Sequence, residues 1–338
     1  MRIELLPKDL NYYKANLHSH STLSNGRVTP EEMKAAYKAK GYSVLAITDH
    51  NVFIPHNDLT EPDFLMLNGI EYNVDSQDGS KRTCHFCAIA GDPETVLQPL
   101  YHRSKYVWAG GVAARAHIRF DESLPDYERI YSHACVNEMI RTCRDAGFFI
   151  TYNHPSWSLE HYPEYMGYEG MHAMEIVNHT CVRLGYPDSA EAVLDDMLTS
   201  DKRLACVATD DNHTADYDAF GAYTMIGAEA LNYESIMRAL FSGCCYASTG
   251  AQISAIYVED GMVHIEVPEA KEIRVFTGFR CAYRAVGTRE APVTHMELAL
   301  PDKRSKYFRA VVSDFEGNKA YSCAYFFDSL GITLPDPQ

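Results

Sequence analysis

The chain has 338 residues, 46% hydrophobic and 22% charged, with a formal net charge of −16. That length buries a sizeable core and allows two domains. The acidic balance excludes the broad basic face that meets a long nucleic acid, and no apolar run reaches the roughly 18 residues of a membrane span.

The opening Arg2-Ile3-Glu4-Leu5-Leu6-Pro7-Lys8 is interrupted by charge and lacks the apolar stretch of a signal peptide. The ten cysteines are scattered rather than clustered as in a small secreted scaffold. Together these features predict a cytoplasmic protein with reduced thiols.

The first chemical feature is His18-Ser19-His20, just after Ala15-Asn16-Leu17. At a strand end, positions i and i+2 face the same side, so both imidazoles point one way. A helix follows, with Thr29 as N-cap, Pro30 at N1, Glu32 completing a capping box and Gly41 past its end. Val44-Leu45-Ala46-Ile47 is a strand buried on both faces, and it runs into Thr48-Asp49-His50-Asn51. This is a βαβ unit.

The rhythm continues. Residues 64–67 lead to Gly69-Ile70-Glu71, and a strand over 86–90 begins beside His85. A helix over 134–145 precedes residues 148–151 and Asn153-His154-Pro155. Met174–Val177 leads to Asn178. A helix over 190–198 precedes a strand at 204–208, which ends in Thr209-Asp210-Asp211-Asn212-His213. Polar residues thus recur where buried strands end, the end that carries the site in barrels of parallel strands. Residues 92–132 break the rhythm, and read either as an insertion over the mouth of the site or as a surface excursion.

After a helix over 233–241 the texture changes. From residue 247 short alternating runs are separated by Gly, Pro, Asp and Asn. They predict an antiparallel β domain over 247–338, sandwich-like and packed on a first domain over 1–246.

A polynuclear metal site needs neutral imidazoles, carboxylates and open positions for water. One His-x-His is weak evidence. Its recurrence with Asp49-His50, Glu71, His85, His154 and Asp211-x-His213 makes the metal reading the leading one.

In order and spacing these residues resemble the PHP (polymerase and histidinol phosphatase) superfamily of metal-dependent phosphoesterases. His18-Ser19-His20 through Asn25-Gly26 is similar to its first motif, and Ile47-Thr48-Asp49-His50-Asn51 to its second. Gly69-Ile70-Glu71 with His85, Asn153-His154-Pro155 and Asp211-Asn212-His213 continue the likeness over residues 14–245. Gly243–Gly250 and the β runs beyond it resemble PHP proteins with an appended β module.

The resemblance implies a distorted (β/α)7 barrel and two to three divalent transition-metal ions: Zn, Mn or Fe. It implies one ion position at His18, His20, Glu71 and Asp211. A second would use Glu71, His85 and His154, and a third His50 and His213 with Asn25. Asn25 stands where the family usually carries Asp, so the third position is expected to bind more weakly. Glu71, His154 and Asp211 are the expected catalytic residues. Asp49 and Asp210 are expected to orient ligands rather than to ligate.

Arg115, Arg119 and Arg183 are candidate phosphate contacts, because guanidinium suits bidentate anion recognition; each is also a candidate for an ordinary surface pair. Trp108, Trp157 and Tyr152 are candidates either for stacking on a substrate or for packing.

The expected function is a phosphomonoesterase acting on a small phosphorylated molecule, nucleotides included. The alternatives are a carboxylic or carbamic ester hydrolase using the same activated water, and a non-catalytic metal-binding barrel. An arginine-lined pocket would favour phosphate, an apolar one the neutral ester.

Overall fold

The computed structural model describes residues 2–187, 189–280 and 282–336. The chain opens with β1 (Ile3–Leu6) and β2 (Asn11–Asn16) and continues through α1 (Pro30–Ala39) to β3 (Val44–Ile47). α1 starts as its sequence dictates: Thr29 Oγ1 accepts from Glu32 N at 3.3 Å, and Glu32 Oε2 accepts from Thr29 N at 2.9 Å. It ends before Gly41, whose φ of +75° suits a residue without Cβ. β3 is parallel to β2 and buried along its whole length, which is why it reads as a continuous apolar run.

β4 (Leu65–Asp75) pairs in parallel with β3, and β5 (Thr83–Ala90) turns back against it. Residues 76–82 are too few for a crossover helix, so β4 and β5 must be antiparallel. The βα rhythm read from the sequence breaks here. His85 lies near the start of β5, opposite Asn73, where the sequence has the strand begin beside it. Because β5 runs the other way, its start lies level with the ends of the parallel strands.

The next segment holds α2 (Gly111–Ala114) and α3 (His133–Asp145), and α3 leads to β6 (Phe148–Tyr152), antiparallel to β5. α3 buries Val136, Met139, Ile140 and Cys143, an i, i+3, i+4, i+7 stripe. Then come α4 (Tyr162–Met166), β7 (Ala173–Asn178), α5 (His179–Arg183), α6 (Glu191–Thr199) and β8 (Ala205–Thr209). β6, β7 and β8 are mutually parallel.

Past the ends of β2 and β8 the chain meets itself. His20 N donates to Asn212 O at 2.9 Å, and Asp211 N donates to His18 O at 3.0 Å. These bonds bring the end of β2 against the end of β8, with β3 to β7 between them.

β9 (Tyr223–Ala228), α7 (Tyr233–Ser242) and β10 (Cys245–Ser248) lead to β11 (Ala255–Glu259), β12 (Met262–Ala270), β13 (Glu272–Phe276) and β14 (Ala282–Val286). β15 (Val293–Ala299), β16 (Tyr307–Ser313), β17 (Lys319–Ser322) and β18 (Tyr325–Phe326) complete the chain. The fold is mixed α/β. One large sheet runs β14-β13-β16-β17-β10-β9-β2-β3-β4-β5-β6-β7-β8, and a four-stranded antiparallel sheet runs β1-β11-β12-β15. The N-terminal strand β1, not anticipated from the sequence, pairs with β11.

One apolar core gathers β2 to β8 with the helices that cover them, including Leu67, Phe86, Phe149, Ile150 and Leu198. A second draws Ile256, Val263 and Ile265 from the smaller sheet and Ile273, Phe308 and Val312 from the far end of the larger one. Among the described residues, no helix is long and apolar enough to cross a membrane.

Candidate metal centre

Glu71 is the hub. It lies on β4, fully buried, in a strand whose pattern is apolar on either side of it. Its Oε1 is 3.2 Å from His18 Nε2, 3.1 Å from His85 Nδ1 and 3.2 Å from His154 Nε2. Its Oε2 is 3.0 Å from His50 Nδ1 and 3.4 Å from His20 Nε2. Asp211 closes the other side, with Oδ1 at 3.0 Å from His20 Nε2 and 3.2 Å from His18 Nε2. His18 and His20 follow the end of β2, His50 that of β3, His154 that of β6 and Asp211 that of β8, while Glu71 projects from within β4 and the reversed β5 delivers His85 from near its start.

The backbone is bent to aim these groups. Asn51, His154 and Asp211 all have positive φ, at 59°, 27° and 52°. Such values are uncommon for residues with a Cβ and persist where the surroundings hold them, often at functional sites.

Three further contacts fix ring orientation. Glu175 Oε1 lies 2.7 Å from His18 Nδ1, Ser158 Oγ lies 3.1 Å from His154 Nδ1, and the Asp211 carbonyl lies 2.9 Å from His213 Nδ1. In each ring this leaves Nε2 to face the cluster, the arrangement seen when an outer partner orients a ligand histidine.

Glu175 is a buried carboxylate of the cluster's surroundings that the sequence reading does not single out. It also accepts from His154 N at 3.1 Å, Thr209 Oγ1 at 2.6 Å and Asn178 Nδ2 at 3.0 Å. The signal was present: a carboxylate inside Ala173–Asn178, a strand buried at every position.

Asp49 and Asp210 hold the turns beside the cluster and, among the described residues, bond no ligand imidazole directly. Asp49 accepts from Ser21 N at 2.7 Å, Ser21 Oγ at 2.6 Å and Ser24 Oγ at 2.5 Å, pinning the turn after His20. Asp210 accepts from Tyr37 OH and from the backbone N–H groups of Phe220, Gly221 and Ala222. Burial raises its pKa to about 6 despite those donors.

The donor set fits cations. His20 Nδ1, His50 Nδ1 and Glu71 Oε2 are buried without a hydrogen-bond partner. His50 Nδ1 and Glu71 Oε2 stand 3.0 Å apart yet are not aligned as a hydrogen bond. His18 Nε2 and His20 Nε2 face each other at 3.1 Å. Two imidazole nitrogens or two unpaired ligand atoms aimed at one space are costly unless a third partner sits there.

The charges agree. Burial opposes ionisation of Glu71, but the surrounding imidazoles outweigh it and hold its pKa well below the usual carboxylate range. Burial likewise opposes protonation of His20, yet Asp211 and Glu71 lift its pKa to about 9. His50 goes the other way, lowered by burial and by the neighbouring His20. The carboxylates draw positive charge onto His18, His20 and His154, and a divalent ion would answer the same demand.

The ligand atoms fall into overlapping groups: His18, His20 and Asp211; His18, Glu71 and His154; His50, Glu71 and His85; and His20, His50 and His213. All eight histidines and carboxylates read as ligands from the sequence are thus brought together. Asn25 lines the same cavity beside His50 and His213, and its Oδ1 accepts from Ser24 Oγ at 3.3 Å.

The centre opens into a cavity of about 510 Å³. Trp108, Trp157, Leu184 and Tyr217 form its apolar lining, and Asp75 and Asp218 add carboxylates beyond the cluster. Among the described residues no lysine or arginine lines it. The three arginines considered as phosphate contacts lie elsewhere. Arg115 Nη1 donates to the His102 carbonyl at 3.2 Å and to the Arg103 carbonyl, while Arg119 and Arg183 are exposed. Cys181 of α5 and Leu184 just past its end line the cavity, and Arg183 between them does not. Tyr152 is in the core, bonded to Glu160 Oε2 at 2.6 Å.

No protein-family model and no curated protein matches the chain. Solved structures similar to it include a two-domain protein from Bacteroides vulgatus containing a predicted PHP-like metal-dependent phosphoesterase (17% identity, 95% of this chain and 98% of that one, TM-score 0.45). A Bifidobacterium adolescentis protein assigned to the metal-dependent phosphoesterases covers 61% of this chain and 89% of its own (15% identity, TM-score 0.37). An amidohydrolase from Chromobacterium violaceum with bound sulfate and no metal has the same coverage (16% identity, TM-score 0.36).

Proposed function

We propose that the protein is a metal-dependent phosphoesterase of PHP type that hydrolyses a small phosphomonoester. The observation that carries this reading is the environment of Glu71, a buried carboxylate ringed by five imidazoles with one oxygen left unpaired. In this reading His18, His20, Glu71 and Asp211 would hold one ion, Glu71, His85 and His154 a second, and His50, His213 and Asn25 a third. Bound divalent ions supply Lewis acidity toward the scissile group and lower the pKa of water into the neutral range.

The chain's own residues do the rest. Glu175 and the Asp211 carbonyl, which can only accept, hold His18 and His213 with the proton on Nδ1, and Ser158 orients the ring of His154. Asp49 and Asp210 fix the turns that deliver His20 and Asp211. The apolar lining of the cavity limits water around the reacting group.

The seven strands β2 to β8, tied end to end between His18–His20 and Asp211–Asn212, support a reading as the distorted (β/α)7 barrel. In the same reading residues 1–246 form the hydrolase domain, which lends β1 to a β domain over 247–338.

A second reading, hydrolysis of a neutral carboxylic or carbamic ester, is favoured by one observation: the described lining has no cationic side chain to hold a phosphate. The deciding experiment is a substrate panel of phosphomonoesters beside neutral esters, run on protein reconstituted with Zn, Mn or Fe. Phosphomonoester turnover that disappears in Asp211→Ala supports the first reading. Turnover confined to neutral esters replaces it with the second.

A further inference from the structure

The chain contains two tryptophans, and both stand at the mouth of this cavity. Trp108 is 44% exposed and Trp157 is 36% exposed. Trp108 packs on His50 with ring centroids 5.3 Å apart. Trp157 packs edge-on to His85 at 5.4 Å and to His154 at 5.1 Å. His50 and His85 are themselves 5.6 Å apart, so a continuous row of rings runs from one tryptophan across the metal centre to the other.

Neither indole rides on a loose loop. Trp108 is followed by Ala109 at φ +48° and by Gly110, whose N–H donates to Ser24 O at 2.7 Å. A Cβ on Gly110 would lie 2.0 Å from Thr22 O, so only glycine allows this approach. Trp157 sits in a turn closed by Ser158 N donating to His154 O, and Thr83 N donates to Ser158 O; both bonds are 3.1 Å. Single exposed aromatics need no explanation, but two anchored ones at one mouth, with Leu184 and Tyr217 at the same rim, form an apolar recognition surface.

From this geometry we infer the substrate class: an ester whose non-reacting part is a planar aromatic group without anionic substituents, stacked on Trp108 and Trp157 while the scissile group lies on the His–Glu–Asp cluster. This rests on the hydrolase reading above and deepens it. An anionic substituent is excluded because the described lining offers no cation to pair with it, while the Asp75 carboxylate would repel it. Indole faces favour a planar π-system over a saturated ring of like size.

The test measures binding and turnover separately. Calorimetry on metal-loaded protein compares benzyl phosphonate with cyclohexylmethyl phosphonate, which share the charged head and cannot be hydrolysed. Benzyl should bind roughly threefold to tenfold more tightly. Trp108→Ala and Trp157→Ala should each erase much of that ratio, and Trp108→Phe and Trp157→Phe should restore part of it. Benzyl and cyclohexylmethyl phosphate, and the corresponding acetates, supply the kcat/KM ratio. Equal affinity for the two phosphonates in wild type, or a ratio unmoved in both alanine variants, overturns the inference. Absence of turnover for all four esters despite selective benzyl binding counts against the hydrolase reading and leaves the aromatic site standing.

Discussion

The molecule holds two kinds of strand, and they treat the same residue types in opposite ways. β3, β5 and β7 are buried at every position, so a polar side chain there has no solvent to fall back on and must be answered by a partner. β12 and β15 alternate, with Val263, Ile265, Met296 and Leu298 inward and His264, Glu266, His295 and Glu297 outward. Each region contains a His-His-Glu group with ligand atoms close together. One is His50, His85 and Glu71, fully buried; the other is His264, His295 and Glu297, partly buried or exposed. The second group lies on the outward-facing positions of a strand pair, with Glu297 Oε1 3.3 Å from His264 Nδ1. Burial, more than composition, separates the two groups.

The largest expected effect is at Glu71. Glu71→Ala removes the carboxylate common to the ring of imidazoles, so metal content should fall sharply and turnover by roughly a hundredfold or more. Elemental analysis beside a rate assay checks both. Glu175→Gln removes the charge that orients His18 without removing a ligand, and should weaken metal affinity by about tenfold to a hundredfold; a competitive chelator titration reads it. Unchanged affinity would mean that burial alone, without that contact, holds His18.

Asn25→Asp adds charge beside His50 and His213. The variant should bind its weakest ion several-fold more tightly and shift the metal dependence of rate. Equal occupancy in both proteins would mean that His50 and His213 suffice. Glu160 tests burial away from the cluster. It accepts from Tyr131, Tyr152 and Tyr168, yet burial raises its pKa to about 7. The folded state therefore favours its protonated form over an unfolded value of about 4.3. Its contribution is full below that value and is lost as pH rises through about 7. Glu160→Gln should flatten this decline, seen as a melting temperature that changes less from about pH 5 to about pH 8. The smallest effect sharpens the opening contrast: replacing His264 and His295 by Ala should leave metal content unchanged.

Much of this was legible in the residues. The capping box at Thr29–Glu32 marked α1, and uninterrupted apolar runs marked β3, β6 and β8. Histidines and carboxylates following such runs marked the centre. Strand direction was not legible: β5 reads like any buried strand, and its reversal depends on the length of the turn before it. β1 and β9 were missed because short segments acquire their role from a distant partner, β11 for the first and β2 with β10 for the second. Glu175 was passed over because attention fell on strand ends, while it works from within a strand. The arginines were misleading because their side-chain direction depends on local turns that no periodicity encodes.

The central claim is that the buried cluster around Glu71 is a metal centre and the outward-facing histidines of the smaller sheet are not. Elemental analysis of protein purified without chelator tests it most directly. The account predicts about two or more transition-metal ions per chain, largely lost in Glu71→Ala and retained when His264 and His295 are replaced. Protein that stays free of metal after reconstitution with Zn, Mn and Fe, or metal that is lost with His264 and His295 and kept in Glu71→Ala, would contradict it.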